Sequence, residues 1–433
     1  MPREYAYPDP VVGRIVLPPW LVEIQSEPAV RRMLFIRQLG LKAYKDFPGA
    51  IHTRYSHALG VMQLSGRVAR TLADEMATKQ NVARSLVNNM NTIMAAGFLH
   101  DIAHGPFSHA VDYALYSMRG KTHEELVADI LRGRISETLE KSSISTQSVI
   151  QIINGNHPYP YLKDIVNGPM DTDKLDYLHR DAYHIGLKYS FDIDQFVSQF
   201  RVIGSDAELA ECRLGLADSQ VAVVTADLFI MIWKSMYDLV YHATDSRIAE
   251  KMLEKVVLSN ASDSEIKESF NTSGGYLSLH DEHLFEVLSR IESAKGTIDA
   301  IRKGEVYRLA YDEVFDAKKF ELHPSFIAKF GGKENGRAEL SDLLSKKLCD
   351  ELKVKPYEVI VDFVKSREPT DIDIDRYDSI RKIQDTLGAR SKIFKELTAE
   401  TRLKVYGDPR LKPFPATDSL SGLLKSIIEN TKF

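Results

Sequence analysis

Ala95-Ala96-Gly97-Phe98-Leu99-His100-Asp101-Ile102-Ala103-His104-Gly105-Pro106-Phe107-Ser108-His109 begins as an apolar helical run and ends with three histidines and an aspartate. Gly105-Pro106 stops the helix, because proline lacks the N–H of the ladder and restricts the residue before it. His100 and Asp101 are neighbours, about 100° apart around a helix, so both can lean on one ion along its flank. His104 lies one turn further on, on the side of His100. His109 returns after the break, on the first turn of the next helix. A lone histidine on a helix is ordinarily a satisfied core or surface residue. An adjacent His-Asp pair in an apolar segment is different, since burying both without a partner is costly. The stretch is expected to bind a metal ion.

The chain has 433 residues, 44% hydrophobic and 27% charged, ordinary for a globular protein. That length suits two or three domains, or one large helical domain with appendages. A net charge of −5 and a pI near 6.3 argue against a broad nucleic-acid surface, although nucleic acid as a partner stays open. With only Cys212 and Cys349 there is neither a disulfide framework nor a cysteine zinc site. MPREYAYPDP lacks the basic-then-apolar layout of a signal peptide, and no uncharged apolar stretch reaches bilayer length. A cytoplasmic protein with no membrane segment is expected.

Most of the text from about residue 18 to 260 is helical, after a turn-rich arm at 1–20 that suggests a short hairpin. Ala58, Met62, Ser65, Val68 and Leu72 share one face of a helix following His57. Thr92 to Asp101 forms the helix of the opening stretch. Leu126 to Leu139 and Gln147 to Ile153 are shorter helices. Gln220 to Val224 suggests a strand after a turn region at 204–216, and Asp227 to Leu258 one long helix. Leu284 to Ile301 and Lys303 to Phe315 look helical again. Phe330 to Gly336 is a loop by composition; Glu358 to Phe363 and Leu403 to Tyr406 are strands. Asp371-Ile372-Asp373-Ile374-Asp375 is a solvated strand face rather than a calcium loop, lacking the turn glycine and the closing glutamate. The expected architecture is mainly α: a helical core with a short N-terminal β-arm at 1–318, and a small α/β region at 319–433.

Two further blocks join the opening stretch. His52-Thr53-Arg54-Tyr55-Ser56-His57 opens a helix, with Arg54 and His57 on one face. Asp171-Thr172-Asp173-Lys174-Leu175-Asp176-Tyr177-Leu178-His179-Arg180-Asp181 sets four carboxylates among apolar and aromatic positions; alone it could be a solvated charged helix. Together the blocks run in the order H…HD…D, and they resemble the HD-domain phosphohydrolase superfamily. The closer likeness is to its dNTP triphosphohydrolases, bacterial dGTPase-like and vertebrate sterile-alpha-motif members included. The resemblance spans Tyr7 to about Tyr311. It includes Asp9-Pro10, Gly13, Gln38-Leu39-Gly40, Phe47-Pro48-Gly49-Ala50, Arg54 to Gly60, His100 to His109, His123-Glu124 and Asp173 to Asp181.

Carried across residue by residue, the resemblance implies His57, His100, Asp101 and Asp173 as ligands of one divalent ion. That donor set suits Fe, Mn, Zn or Ni, and Mg is a possible companion of the nucleotide phosphates. His104, His109 and His123 would line the same cavity. His109 would be the general acid for the leaving 5′-oxygen, with Asp112 to orient it. Arg54 and Lys174 would neutralise phosphate oxygens. Gln38, Tyr177 and Asp181 match positions that read the sugar, and Tyr241 an aromatic near the deoxyribose, although core packing alone would also explain both tyrosines. A homo-oligomer, dimer or tetramer, is implied as well.

The departures carry equal weight. Trp233 stands where many relatives have an arginine, and Ala243-Thr244 where relatives continue with His-Lys. Hydrolysis of dNTPs to deoxynucleoside and triphosphate is therefore the first expectation. Cleavage of another nucleotide or an oligonucleotide phosphate ester is the alternative. A nucleotide-sensing module without turnover is a third.

Overall fold

Asp9 closes the first element, its Oδ1 accepting the N–H groups of Val11 and Val12 at 2.9 and 3.0 Å. Gly13, at φ +81°, then lets the chain return. In the computed structural model this gives the expected arm, an antiparallel hairpin of β1 (Ala6–Asp9) and β2 (Gly13–Val16). Residues 5–189, 191–315, 334–365, 373–375, 380–382, 401–411 and 417–429 are described.

The core is built on α1 (Arg54–Glu75) and α2 (Met90–Leu99). The expected face of α1 is fully buried, Ala58, Met62, Ser65, Val68 and Leu72 alike. The two helices approach closely because Gly97 has no side chain: a Cβ there would lie 2.7 Å from Ser65 Oγ. After α2 the chain passes through tight turns into α3 (Asp112–Arg119) and α4 (His123–Ile130). The single helix expected from Leu126 to Leu139 is two. Gly133, at φ +82°, separates α4 from α5 (Arg134–Lys141).

The acidic block becomes α6 (Thr172–Ile185), capped by Asp171, which accepts from Lys174 N at 2.8 Å, and ended by Gly186 at φ +79°. It docks on α1 at Gly60, where a Cβ would stand 1.9 Å from Asp176 Oδ1. The expected turn region at 204–216 instead ends in an antiparallel pair, β3 (Phe200–Ile203) with β4 (Arg213–Ala217).

Gln220 to Val224 is helical, not a strand. Ser219 accepts from Ala222 N at 3.0 Å and starts α7 (Gln220–Met236), so capping overrode the β-branched run. The long helix expected from Asp227 to Leu258 is interrupted. A π-helical turn at Tyr237–Tyr241 precedes α8 (Thr244–Ser259). The helix expected over Leu284 to Ile301 likewise breaks at Ile291, which separates α9 (Asp281–Arg290) from a helix over Glu292–Arg302.

Lys303 to Phe315 is not a helix. Its second half is β5 (Arg308–Val314), an edge strand of a three-stranded antiparallel sheet whose middle strand is Thr401–Gly407 and whose other edge is Val359–Lys365. A strand whose partners lie about a hundred residues further along leaves little local trace. Glu334–Gly336, part of the expected loop, opens α10 (Glu334–Leu352); the rest of that loop lies outside the described residues. The expected strands are β6 (Val359–Lys365) and β9 (Thr401–Gly407). Of the acidic run, Asp373–Asp375 is β7, which pairs with β4 and with β8 (Ile380–Lys382); Asp371 and Ile372 lie outside the described residues. α10 and α11 (Thr417–Glu429) pack over the β5-β9-β6 sheet, burying Leu344, Val361, Val405 and Leu424 in a second apolar cluster. Among the described residues, no helix is long and apolar enough to cross a membrane.

A polar clasp joins this sheet to the helical core. Arg247 on α8 grips Asp362 on β6 through Nε at 2.6 Å and Nη2 at 3.0 Å, and Tyr406 Oη donates to the same carboxylate at 3.1 Å. Asp362→Ala strands a largely desolvated guanidinium. It is expected to lower stability by about 3 kcal/mol, the lower end for breaking a buried pair, since Arg247 keeps some solvent. Urea unfolding of the two proteins measures it; an unchanged midpoint contradicts the clasp.

Candidate active site

Two imidazoles face each other across the α1–α2 junction. His57 on α1 is fully buried, and His100 follows α2 directly, with ring centroids 5.2 Å apart. His100 Nδ1 lies 2.9 Å from Gly97 O. A carbonyl only accepts, so this nitrogen carries the hydrogen and the neutral ring presents a lone pair at Nε2. His57 Nδ1 lies 2.8 Å from Asp176 Oδ2, a carboxylate that Arg180 also holds through Nε at 2.7 Å and Nη2 at 2.9 Å. Its Nε2 is therefore the free position too. Neither Nε2 atom has a hydrogen-bond partner, although both are buried.

Carboxylates stand close to both nitrogens without hydrogen-bond alignment. Asp173 Oδ1 is 2.9 Å from His57 Nε2 and 3.5 Å from His100 Nε2. Asp101 Oδ2 is 3.6 Å from His57 Nε2, and its Oδ1 is 3.2 Å from His100 Nε2. Buried lone pairs converging on shared carboxylates, each ring fixed from behind by a second group, fit a divalent ion. His57, His100 and Asp173 meet most tightly; Asp101 borders them while also bonding Arg54 Nη1 at 2.6 Å.

The electrostatics agree. Burial disfavours the His57 imidazolium, yet Asp173, Asp176 and Asp101 outweigh it and raise that group to about 10. His100 is raised against the same burial by Asp101 and Asp173. Burial would lift Asp173, but His100 and His57 hold it far below the carboxylate range; Arg54, His100 and His104 do the same for Asp101. In the metal-free protein, a proton on His57 occupies the place of a cation.

A second cluster adjoins the first. His104 Nε2 reaches Asp101 Oδ1 at 3.2 Å, and its ring lies 4.0 Å from His123 and 4.9 Å from His109, centroid to centroid. Asp112 Oδ2 accepts from His109 Nδ1 at 2.8 Å, and Asp112 Oδ1 lies 3.3 Å from His123 Nδ1. Burial, with Arg54 and His123 beside it, pushes His104 well below its ordinary value, which keeps it neutral. His123 is raised against burial by Asp112, and Asp112 is lowered against burial by His123 and His109. The side chain of His109 is 67% exposed, at the mouth of the cluster.

The turn that carries His109 is strained. Phe107 and Ser108 both sit at positive φ, 54° and 58°. Asp281 on α9 accepts from Phe107 N at 2.6 Å and Arg37 N at 3.0 Å, and burial pushes its carboxyl up to about 7. Ser108 Oγ accepts from Arg54 Nε at 2.9 Å and donates to Arg37 O at 2.7 Å.

Of the residues expected to meet substrate, Asp181 is 1% exposed, bound by His52 Nε2 at 2.7 Å and Tyr241 Oη at 2.8 Å. Burial pushes the Tyr177 and Tyr241 phenols well above their usual value, so both remain protonated. Their rings meet edge to face at 5.8 Å, and Trp233, Tyr237 and Tyr241 continue the aromatic wall along one side of α7 and its extension. Gln38 Oε1 is buried without a partner. Lys174 Nζ is held by Asp171 Oδ2 at 2.6 Å and Gly168 O at 2.9 Å.

Residues 54–181 match the family model described as the HD domain. This chain carries an HD domain. It is 28% identical over 303 residues to the human deoxynucleoside triphosphate triphosphohydrolase SAMHD1, covering 63% of this chain and 45% of that protein. It is 31% identical over 203 residues to the uncharacterized MG461 homolog of Mycoplasma pneumoniae, covering 43% and 45%. To the uncharacterized protein YwfO of Bacillus subtilis it is 28% identical over 231 residues, covering 52% and 49%. The chain thus spans about half the length of these curated relatives. A crystal structure of a hypothetical protein from Aquifex aeolicus superposes with a TM-score of 0.71 at 22% identity, covering 98% of this chain and 99% of that one. That likeness extends the fold to the C-terminal region.

Sequence reasoning gave no role to Asp176 and Arg180, which hold His57 from behind, to His52, which holds Asp181, or to Asp281, which holds the Phe107–Ser108 turn. Asp9 in the arm, 2.8 Å from Arg180 Nη1, belongs with them. Asp176 and Arg180 were visible as members of the acidic block and His52 as the first residue of the block that ends at His57; Asp281 carried no signal.

The His57 value fixes a linkage. A folded-state value near 10 lies above the ordinary imidazole value of about 6.5. Its stabilisation is therefore full below pH 6.5 and is lost as pH rises through 10. Metal-free protein is expected to lose melting temperature between pH 7 and 10, while Mn-loaded protein loses less. Parallel melting curves for the two forms would contradict the ligand assignment. Gly60→Ala, which pushes Asp176 and Arg180 aside, is expected to cut bound metal; elemental analysis at full occupancy would refute that.

Proposed function

We propose that this chain is a metal-dependent phosphohydrolase that cleaves dNTPs into deoxynucleoside and inorganic triphosphate, as a homo-oligomer in the cytoplasm. The observation that supports it best is the pair of unpartnered His57 and His100 Nε2 atoms beside Asp101 and Asp173, next to the His109–Asp112 pair. His57, His100, Asp101 and Asp173 would hold a divalent transition ion, which when bound supplies Lewis-acid polarisation of a phosphate oxygen.

The chain's own groups do the rest. Asp112 accepts a hydrogen bond from His109 Nδ1, which turns Nε2 of that ring toward the position where a departing 5′-oxygen needs a proton. His123 and Asp112 favour each other's charged forms, and neutral His104 lines the cavity. Arg54 has Nε and Nη1 committed to Ser108 and Asp101, which fixes the plane in which its remaining nitrogen meets a phosphate oxygen. Lys174 supplies a further positive charge near the ion site, exchanging Asp171 for phosphate. Gln38 Oε1 accepts from a sugar hydroxyl, Asp181 adds a second acceptor, and Tyr177 and Tyr241 flank the sugar. The activity for which the SAMHD1 relatives are named supports dNTPs as the substrate class.

Trp233 favours a second reading. It is buried against Tyr237 at 4.5 Å, so no cation stands at that position for the far end of a triphosphate. Neighbouring Lys234 is tied to Asp238 at 2.6 Å. Another nucleotide or an oligonucleotide phosphate ester fits such a grip.

Product analysis after incubation with each dNTP, each NTP and a short single strand decides. Triphosphate plus deoxynucleoside is the expected outcome. Monophosphates support the second reading, and saturable binding without product, with any added metal, points to a sensor. Asp101→Ala is expected to abolish turnover and strip the ion. His109→Ala should keep the ion but slow hydrolysis at least about a hundredfold, the lower end of a general-acid contribution. A near-normal rate would remove His109 from that role.

A further inference from the structure

The segment before α1 is pressed against the end of α6. Gly49 allows the approach, since a Cβ there would overlap His184 O. Beyond it, Arg37 and Thr53 form an antiparallel bridge, closed on either side by Gln38 N to His52 O and Arg54 N to Ile36 O, each at 2.9 Å. His52 thus holds Gln38 through the backbone. Its side chain holds α6: Nε2 donates to Asp181 Oδ1 at 2.7 Å, and the ring stacks on His184 with centroids 4.3 Å and planes 14° apart. Asp173, Tyr177, Asp181 and His184 are spaced 4, 4 and 3 along α6, so they share one face. That face runs from the ion site to the stacked imidazoles.

His52 is a costly residue to keep here. It is 5% exposed, and Nδ1, at the other edge of its ring, is buried without a partner. A side chain that only filled the space would be apolar and leave no nitrogen orphaned. What the ring supplies is one N–H aimed at Asp181. That carboxylate is itself buried, with His52 at Oδ1 and Tyr241 Oη at Oδ2. Each oxygen has room for one acceptance more, so a substrate hydroxyl meets a carboxylate whose plane is already set. Gln38 Oε1, the other acceptor proposed for the sugar, is buried and unpartnered.

A deoxynucleotide has one free sugar hydroxyl, on C3′, and both acceptors proposed for it are tied to one residue. We infer that His52 is a positioning residue for substrate selectivity: holding Gln38 by its carbonyl and Asp181 by its ring, it makes a free 3′-hydroxyl a requirement of good substrates. The inference rests on the dNTP reading proposed above and adds to it the group that sets the sugar acceptors. A nucleotide whose 3′-oxygen is missing or esterified has no hydrogen to give them. It is rejected because buried acceptors then lose water without replacement.

Steady-state hydrolysis of dTTP and of 2′,3′-dideoxy-TTP by the Mn-loaded full chain tests it. The wild type is expected to favour dTTP in kcat/KM at least about a hundredfold. His52→Leu should shrink that preference at least about tenfold, mainly through a higher KM for dTTP, since the sugar hydroxyl lies away from the bond that breaks. His52→Gln, whose amide can still donate to Asp181, should keep most of the preference. His52→Asn, too short to reach Asp181, should behave as the leucine variant, and it decides where that variant does not fold. A merely structural residue would lower both nucleotides alike, so equal losses overturn the inference, as does a wild type indifferent to the 3′-hydroxyl. A glutamine variant no better than the leucine one overturns the part given to the ring N–H. All three outcomes leave the dNTP reading standing; a wild type that cleaves no dNTP overturns that reading and this inference with it.

Discussion

The Asp176 carboxylate carries the site. Arg180 holds it through two nitrogens, Asp9 secures Arg180 from the N-terminal arm, and Asp176 in turn fixes the hydrogen of His57 on Nδ1. His57, Asp176 and Arg180 are fully buried and the Asp9 side chain is only 7% exposed, so removing any one would leave a charge with little solvent. Gly60 makes the arrangement possible, since any side chain there would occupy the space of the carboxylate. A hairpin at the start of the chain and a helix more than 150 residues later thus set the direction of one nitrogen lone pair. That explains why a short β-arm accompanies a helical core at all.

The second constraint is the strained turn at Phe107-Ser108. Two consecutive non-glycine residues at positive φ cost energy that local contacts must offset. Asp281, Arg37 and Arg54 supply those contacts, and Gly40 leaves room for the carbonyl of Phe107, which a Cβ at that position would meet at 2.7 Å. The same Arg54 that steadies Ser108 also bonds Asp101. One guanidinium therefore couples the turn bearing His109 to Asp101, so His109 and the cluster of His57, His100 and Asp173 keep a fixed relation.

How much was legible in the sequence depends on how local each signal is. The H…HD…D order was plain because histidines and aspartates in apolar surroundings are costly without a function, and the face of α1 was plain because its period is helical. The structure brings His57, His100, Asp101 and Asp173 together, and places His104, His109, Asp112 and His123 in one adjoining cluster. The strand at Arg308–Val314 was not legible, since its partner is β9 and nothing nearby. Ser219 converted a β-branched run into a helix through one capping bond. The role of His52 was invisible for a different reason: its partner, Asp181, lies 129 residues away, and only the fold makes them meet at 2.7 Å.

The break between α7 and α8 shows how the two scales connect. An uninterrupted helix would carry Tyr241 on with the α-helical period; the π-helical turn at Tyr237–Tyr241 adds a residue to the winding and so rotates the chain beyond it. Tyr241 there donates to Asp181 and meets Tyr177 edge to face, while Tyr237 stacks between Trp233 and Tyr241. The aromatic wall therefore depends on an irregular segment whose preceding helix is apolar on its outer face. Anything that covers that face also steadies the segment from which Tyr241 is hung.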